Sequence, residues 1–209
     1  MPPRRVLVLR HGESAWNVEG RWQGWQDIAL TPIGEAQARA RAATLADEPL
    51  AGAAVFTSDL VRAARTAEIV AEVLGLAAPV CDEGFRERHG GDWEGKTAAE
   101  IDERWPGVRA AWRRGELSAP PAGEPDDHVL ARADAALARA TAATPSTAPL
   151  IVVTHHGVLR LLSTRAGIPV HALIPNLGGR WFDWHDGELR ARDELAPLAA
   201  LDADGLAVE

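Results

Sequence analysis

Three short apolar runs punctuate the chain: Val6-Leu7-Val8-Leu9, residues 53–56 and residues 150–153. None alternates with polar residues, which is the pattern of a strand buried on both faces. A stretch with helical spacing follows each run. Thr31 and Pro32 form an N-cap and first-turn pair for a helix running to about Ala46. Ser58 caps a second helix to about Leu74, and Thr97-Ala98-Ala99-Glu100 reads as a capping box. Residues 127–142 are amphipathic, and residues 157–166 form a short apolar helix. Asp186-Gly187 is a tight-turn dipeptide. Residues 118–125, with three prolines, read as a loop between helices, and residues 144–149 as a loop before a strand. The Ala- and Asp-rich tail beyond Glu194 reads as partly disordered.

Strands alternating with helices predict an α/β fold. The expected architecture is a three-layer sandwich, with a mostly parallel central sheet and helices on both faces. Ligands of such sheets sit beyond the carboxyl ends of the strands, so the residues just after each strand matter most.

A length of 209 residues suits a single domain spanning residues 1–209, and 46% hydrophobic with 25% charged residues is a globular composition. Net charge is −8, which disfavours nucleic acid and anionic membranes as partners. An anionic ligand is compatible with that charge only where cations cluster locally. Cys81 is the single cysteine, so no intramolecular disulfide forms. The first apolar run stops at Arg10, too early for a secretory signal, and no stretch approaches the roughly 20 apolar residues of a membrane span. A cytoplasmic protein with no membrane partner is expected, and a homodimer is left open. The single lysine, Lys96, among many arginines and alanines reflects coding bias.

All three predicted strand ends carry basic groups or imidazoles. Arg10-His11-Gly12-Glu13 follows the first, Thr57-Ser58-Asp59-Leu60 with Arg62 the second, and Thr154-His155-His156-Gly157 the third. Phosphoryl transfer to histidine needs a neutral imidazole nitrogen facing phosphorus, with guanidinium forks and a second imidazole on the non-bridging oxygens. Arg10, Arg62 and His155 supply these without a metal. An acid must protonate the leaving oxygen, and Glu83, Glu87 and Glu94 lie between the second and third strands. His155-His156 is not a metal motif, because adjacent side chains point apart and no H-x-x-x-H or aspartate cluster accompanies them. No metal or cofactor is expected.

The ordered set of motifs resembles the histidine phosphatase superfamily, the phosphoglycerate mutase-like enzymes. Arg10-His11-Gly12-Glu13 is similar to the nucleophile signature. Asn17, Arg21-Trp22-Gln23-Gly24, Leu30-Thr31-Pro32-Ile33-Gly34 and Gln37-Ala38 resemble the segment after it. Ser58 through Ala67 resembles the second motif, Glu87 with Gly91-Asp92-Trp93-Glu94-Gly95 the acid/base motif, and Val152-Val153-Thr154-His155 the second-histidine motif. The resemblance covers about residues 4 to 180. It implies that His11 becomes phosphohistidine, that Arg10, Asn17, Arg62 and His155 hold the phosphoryl group, and that Glu87 is the proton donor and then the base for water. His156 departs from the family, which commonly has a small residue there. Its side chain would narrow the pocket while its backbone N–H could still bind phosphate. Trp16, Trp22 and Trp25 form either a pocket wall or a cover for the core edge; Trp93, Trp105, Trp112, Trp181 and Trp184 read mostly as packing.

Three functions follow from the resemblance. A phosphatase passes the phosphoryl group to water, a cofactor-dependent phosphoglycerate mutase returns it to a bound phosphoglycerate, and a non-catalytic module only binds a phospholigand. The last is disfavoured because every catalytic position is filled. Arg88, Arg113 and Arg114 could form a mutase's carboxylate clamp. The short segment after Glu87, Trp93-Glu94-Gly95-Lys96-Thr97 and Pro121-Ala122-Gly123-Glu124 favour the phosphatase branch. Within it, Gly91 to Gly95, Glu100-Ile101-Asp102 and Leu177-Gly178-Gly179 resemble actinobacterial glucosyl-3-phosphoglycerate phosphatases. The expected partner is a small phosphate ester, a sugar phosphate or phosphoglycerate derivative.

Overall fold

Val6 and Val8 belong to one buried cluster, Leu7 and Leu9 to another, so the first strand needs cover on both sides. The computed structural model describes residues 3–170 and 172–199. In chain order these form β1 (Arg4–Arg10), α1 (Ala15–Val18), α2 (Pro32–Leu45), β2 (Ala54–Thr57), α3 (Val61–Val73) and β3 (Val80–Cys81). There follow α4 (Ala98–Arg104), α5 (Val108–Arg113), α6 (Asp126–Ala142), β4 (Leu150–Thr154), α7 (His156–Arg165), β5 (Gly179–His185) and β6 (Glu188–Glu194). Among the described residues the strands make one sheet in the order β3-β2-β4-β1-β5-β6. β3, β2, β4 and β1 run parallel, while β5 is antiparallel to both β1 and β6. Helices α6 and α7 cover the face carrying Val6, Val8, Leu150, Val152 and Phe182. Helices α2 and α3 cover the face carrying Leu7, Leu9, Ile151 and Val153. The architecture is the α/β sandwich that the pattern predicts.

Half of the strands escape the apolar-run reading, for identifiable reasons. β3 has only two residues, and β6 is a polar edge strand with one buried side chain, Leu189. β5 breaks its apolar run with Arg180 and Asp183. Asp186 and Gly187 have φ of 52° and 84°, the two left-handed residues of a primed hairpin turn joining β5 to β6.

One local expectation needs correction. Ser58 does not cap α3: the N-cap residue is Leu60, and Ser58 Oγ instead accepts from the Leu60 N–H at 3.2 Å. The first helical N–H, that of Val61, is taken at 2.7 Å by Asp27 Oδ1 from a loop far upstream. The first residues after Glu194 are tied to the domain. The Leu195 N–H donates to Gly179 O, and the Ala196 carbonyl accepts from Arg41 Nη2. Residues 200–209 of the expected tail lie outside the described residues.

The N-terminus of α2 is fitted against the loop after β1. Thr31 accepts the Gly34 N–H at 3.0 Å, and its own N–H donates to Glu13 O at 2.9 Å. A Cβ on Gly34 would lie 2.0 Å from Glu13 O, so only glycine permits this approach. Gly34→Ala is therefore expected to lower the unfolding free energy by about 1–3 kcal/mol in a urea titration. An unchanged midpoint would show that the helix and loop separate without consequence.

Candidate active site

The register of β1 against β4 pairs Arg10 with Thr154. The next residues, His11 and His155, must therefore emerge side by side. The His11 N–H donates to Thr154 O at 2.9 Å, and the two rings meet edge to face with centroids 5.1 Å apart. β2 is the other neighbour of β4, and α3 follows it and delivers Arg62 to the same place. A cavity of about 710 Å³ opens there, and Arg10, His11, Asn17, Arg62, Glu87 and His156 are on its wall. His155 is fully buried against His11. The structure thus brings Arg10, His11, Asn17, Arg62, Glu87, His155 and His156 to one place.

Both arginines are buried. Loss of hydration lowers each guanidinium to about 10, so both stay cationic at neutral pH. Arg62 donates Nη1 to Gln26 O and Nη2 to Gly24 O, both at 2.8 Å, and Arg10 donates Nη1 to Ile174 O. The Nε atoms of both and the two ring nitrogens of His155 find no partner among the described residues. Buried polar atoms are normally satisfied, so the Nε–H of each arginine and the one N–H of a neutral His155 are donors left over for a ligand's oxygens.

His11 Nδ1 lies 2.6 Å from its acceptor, Gly12 O. A carbonyl can only accept, so Nδ1 carries the proton and Nε2 keeps its lone pair. Burial first, then the charges of Arg62 and Arg10, hold the imidazole well below its usual pKa. Gly12 is itself fixed: its N–H donates to Thr66 Oγ1, which donates to Arg62 O. The amide of Asn17 is oriented too. Its Oδ1 accepts from Ser14 and from Asn176 Nδ2, which leaves its NH2 as the donor available to a ligand. Asn176 also donates to His11 O at 3.0 Å, a role that nothing in its local sequence signals.

Of the three candidate acids, only Glu87 lines the cavity. Its carboxylate accepts the Arg88 N–H at 2.8 Å and the Gly157 N–H at 3.1 Å. A Cβ on Gly157 would come within 2.3 Å of Glu87 Oε1, so a larger residue at the start of α7 would displace the carboxylate from this position. Glu94 ties loops together by accepting from the N–H groups of Trp25 and Gly90, and Glu83 is 76% exposed. His156 turns its Nδ1 to the Ile174 N–H at 3.3 Å, and burial lowers its pKa to about 4.

The arginines of the outer cavity differ in freedom. Arg88 is committed to the Asp126 carboxylate and, at 2.7 Å, to Glu124 O. Arg114 pairs with Glu116 away from the wall, whereas Arg113 is on the wall with no ion pair among the described residues. Arg160, also on the wall, sits 3.5 Å from Asp126 and was not anticipated. Trp22 lines the cavity and stacks edge-on with Trp93 and Trp112. Trp112, which the sequence reads mostly as packing, is on the wall as well. Trp25 instead donates its indole N–H to Glu87 O at 2.6 Å. Among the described residues, no group of three His, Cys, Asp or Glu side chains is placed to hold a metal ion.

A family model described as histidine phosphatase superfamily (branch 1) matches residues 6–192. Glucosyl-3-phosphoglycerate phosphatase of Mycobacterium tuberculosis is 39% identical over 188 residues, covering 86% of this chain and 82% of that protein. A mycobacterial glucosyl-3-phosphoglycerate phosphatase solved with VO3 superposes with a TM-score of 0.80 at 35% identity, over 90% of this chain and 96% of that one. A 2,3-bisphosphoglycerate-dependent phosphoglycerate mutase of Nitratidesulfovibrio vulgaris is 41% identical, but over only 58% of this chain and 50% of its own.

Three imidazoles with depressed pKa values make the site sensitive to acid. Below the ordinary value of 6.5 the unfolded chain binds protons that folded His11 and His155 refuse. Their contribution to stability is therefore complete above that pH and is lost as the pH falls below it. The slope should reach about 1.4 kcal/mol per pH unit for each of these two buried rings. Urea titrations between pH 7 and pH 5 measure it, and the slope should shrink in His155→Asn. Equal slopes in the two proteins would mean that His155 is not held neutral.

Proposed function

The chain belongs to the histidine phosphatase superfamily and is a phosphatase, and on that premise we propose that it hydrolyses a small phosphate monoester, without a metal, through a phosphohistidine on His11. The observation that carries this reading is the unprotonated Nε2 of His11, held by the Nδ1 hydrogen bond to Gly12 O between two buried guanidinium groups. Nε2 attacks phosphorus, a P–N bond forms and the ester P–O bond breaks. Arg10, Arg62 and His155, with Asn17 and His156 alongside, hold the non-bridging oxygens, where charge accumulates. Glu87 gives its proton to the departing alkoxide. Its carboxylate then takes a proton from water, which attacks phosphorus, breaks the P–N bond and releases phosphate. The two backbone N–H groups on Glu87 occupy one lone pair on each oxygen and leave others for this traffic.

The substrate is proposed to be a sugar phosphate or phosphoglycerate derivative. Similarity to the mycobacterial glucosyl-3-phosphoglycerate phosphatases supports this, as does a cavity with a broad outer wall of Trp22, Trp112, Arg113 and Arg160. The mutase alternative draws on Arg113, which is free to meet a carboxylate. Arg88 and Arg114 are both committed to acidic side chains, which weakens a three-arginine clamp.

His11→Ala should form no acid-labile, base-stable phosphoenzyme on acid quenching with a labelled substrate, and a normal adduct in that variant would sink the nucleophile assignment. A second assay separates hydrolysis from transfer. 3-Phosphoglycerate and 2-phosphoglycerate should interconvert slowly or not at all, while phosphate is released from suitable esters. If interconversion has the higher kcat/KM on every ester tested, the chain is a mutase.

A further inference from the structure

Glu87 lies in chain without regular secondary structure, yet four consecutive carbonyls there are each taken by a side chain. Thr154 Oγ1 donates to Phe85 O at 2.7 Å, and Arg132 takes the other three. Arg132 Nη1 donates to Gly84 O at 3.0 Å and to Arg86 O, and Nη2 donates to Glu87 O at 2.8 Å. The remaining two N–H groups of the fork meet the Glu124 carboxylate, from Nε and Nη2, each at 2.8 Å. All five guanidinium donors are thereby used. Glu124 also binds the other side of the segment, since its carboxylate accepts the His89 N–H at 3.2 Å and its own N–H donates to His89 O at 2.9 Å. Both side chains are mostly buried.

We propose that Arg132, locked by Glu124, is a positioning residue that sets where the Glu87 carboxyl stands relative to the leaving oxygen. Neither side chain lines the cavity, so they act through the backbone of residues 84–89. The carboxyl end of Glu87 is fixed by the N–H groups of Arg88 and Gly157, and the main-chain end is fixed by Arg132 and the Trp25 indole. Acid catalysis depends steeply on that placement, because misplacement by about an ångström can cost on the order of 100-fold. The proposal rests on the reading of Glu87 as the acid.

The test compares p-nitrophenyl phosphate, whose leaving group needs little protonation, with 3-phosphoglycerate and glycerol 3-phosphate, whose alkoxides need it. Glu87→Gln is expected to lose far more kcat/KM on the alkyl esters than on the aryl ester. Arg132→Gln should show the same selectivity, losing roughly 10- to 100-fold on the alkyl esters and only a few-fold on the aryl ester. Arg132→Lys should not rescue, because an ammonium keeps the charge but lacks the fork. In the Glu87→Gln background, adding Arg132→Gln should bring no further selective loss. Glu124→Gln, which keeps Arg132 in place, should give the same selectivity in weaker form and covers the case in which Arg132→Gln does not fold. Equal losses on both ester classes for the Arg132 and Glu124 variants, beside a selective Glu87→Gln, overturn the positioning role alone. So does full rescue by lysine, which would reduce Arg132 to a charge. A non-selective Glu87→Gln overturns the acid reading and the positioning role with it.

Discussion

Arg10 and Arg62 keep guanidinium groups out of water beside two buried imidazoles, and the Glu87 carboxyl stands on the same cavity wall. Such a cluster opposes folding unless each cation is wrapped in fixed dipoles. The surrounding loops are shaped by that need. The turn over Gly24 and Gln26 presents its carbonyls to Arg62, and the chain at Ile174 presents one to Arg10. The imidazoles meet the same demand by staying neutral. The chemistry proposed for the site therefore uses what burial imposes: neutral nucleophilic nitrogen and cations whose remaining donors await an anion.

Arginine recurs as the fastener of irregular chain. Arg41 reaches from α2 to the carbonyls of Leu177 and Ala196, Arg4 to those of Thr144 and Pro145, and Arg132 to three carbonyls around Glu87. A planar fork with donors at fixed angles can hold several carbonyls of one loop at once, which a flexible ammonium cannot. The replacement of lysine by arginine throughout this chain looks like compositional bias in the sequence. In the structure it is also a means of ordering loops that have no strand or helix to order them.

What the sequence disclosed follows from range. The central strands were legible because burial on both faces leaves unbroken apolar runs, and the strand-end residues were legible because a parallel sheet concentrates ligands there. Ser58 is the local candidate for the cap on α3, but Asp27, distant in sequence, holds the first helical N–H. Nothing local marks Asn176, Arg160 or the pair Glu124–Arg132 either, because each meets a partner far along the chain: His11, Asp126, and the backbone of residues 84–89. Trp112 was read as packing, and both readings hold, because one edge meets Trp93 while the residue also faces the cavity. The choice among Glu83, Glu87 and Glu94 rested on motif alone. The geometry separates them, because only Glu87 reaches the wall that His11 shares.

The hydrogen bond from His11 Nδ1 to Gly12 O has a second consequence, on the return half of the proposed cycle. Once Nε2 bears the phosphoryl group, the proton pinned on Nδ1 cannot easily depart, so the ring is an imidazolium. A cationic ring withdraws electrons from the P–N bond and leaves as a neutral molecule, whereas a deprotonated ring would have to leave as an anion. One carbonyl thus governs both directions of travel: the lone pair it exposes on the way in becomes, on the way out, the good leaving group that keeps the enzyme from being trapped as its own product.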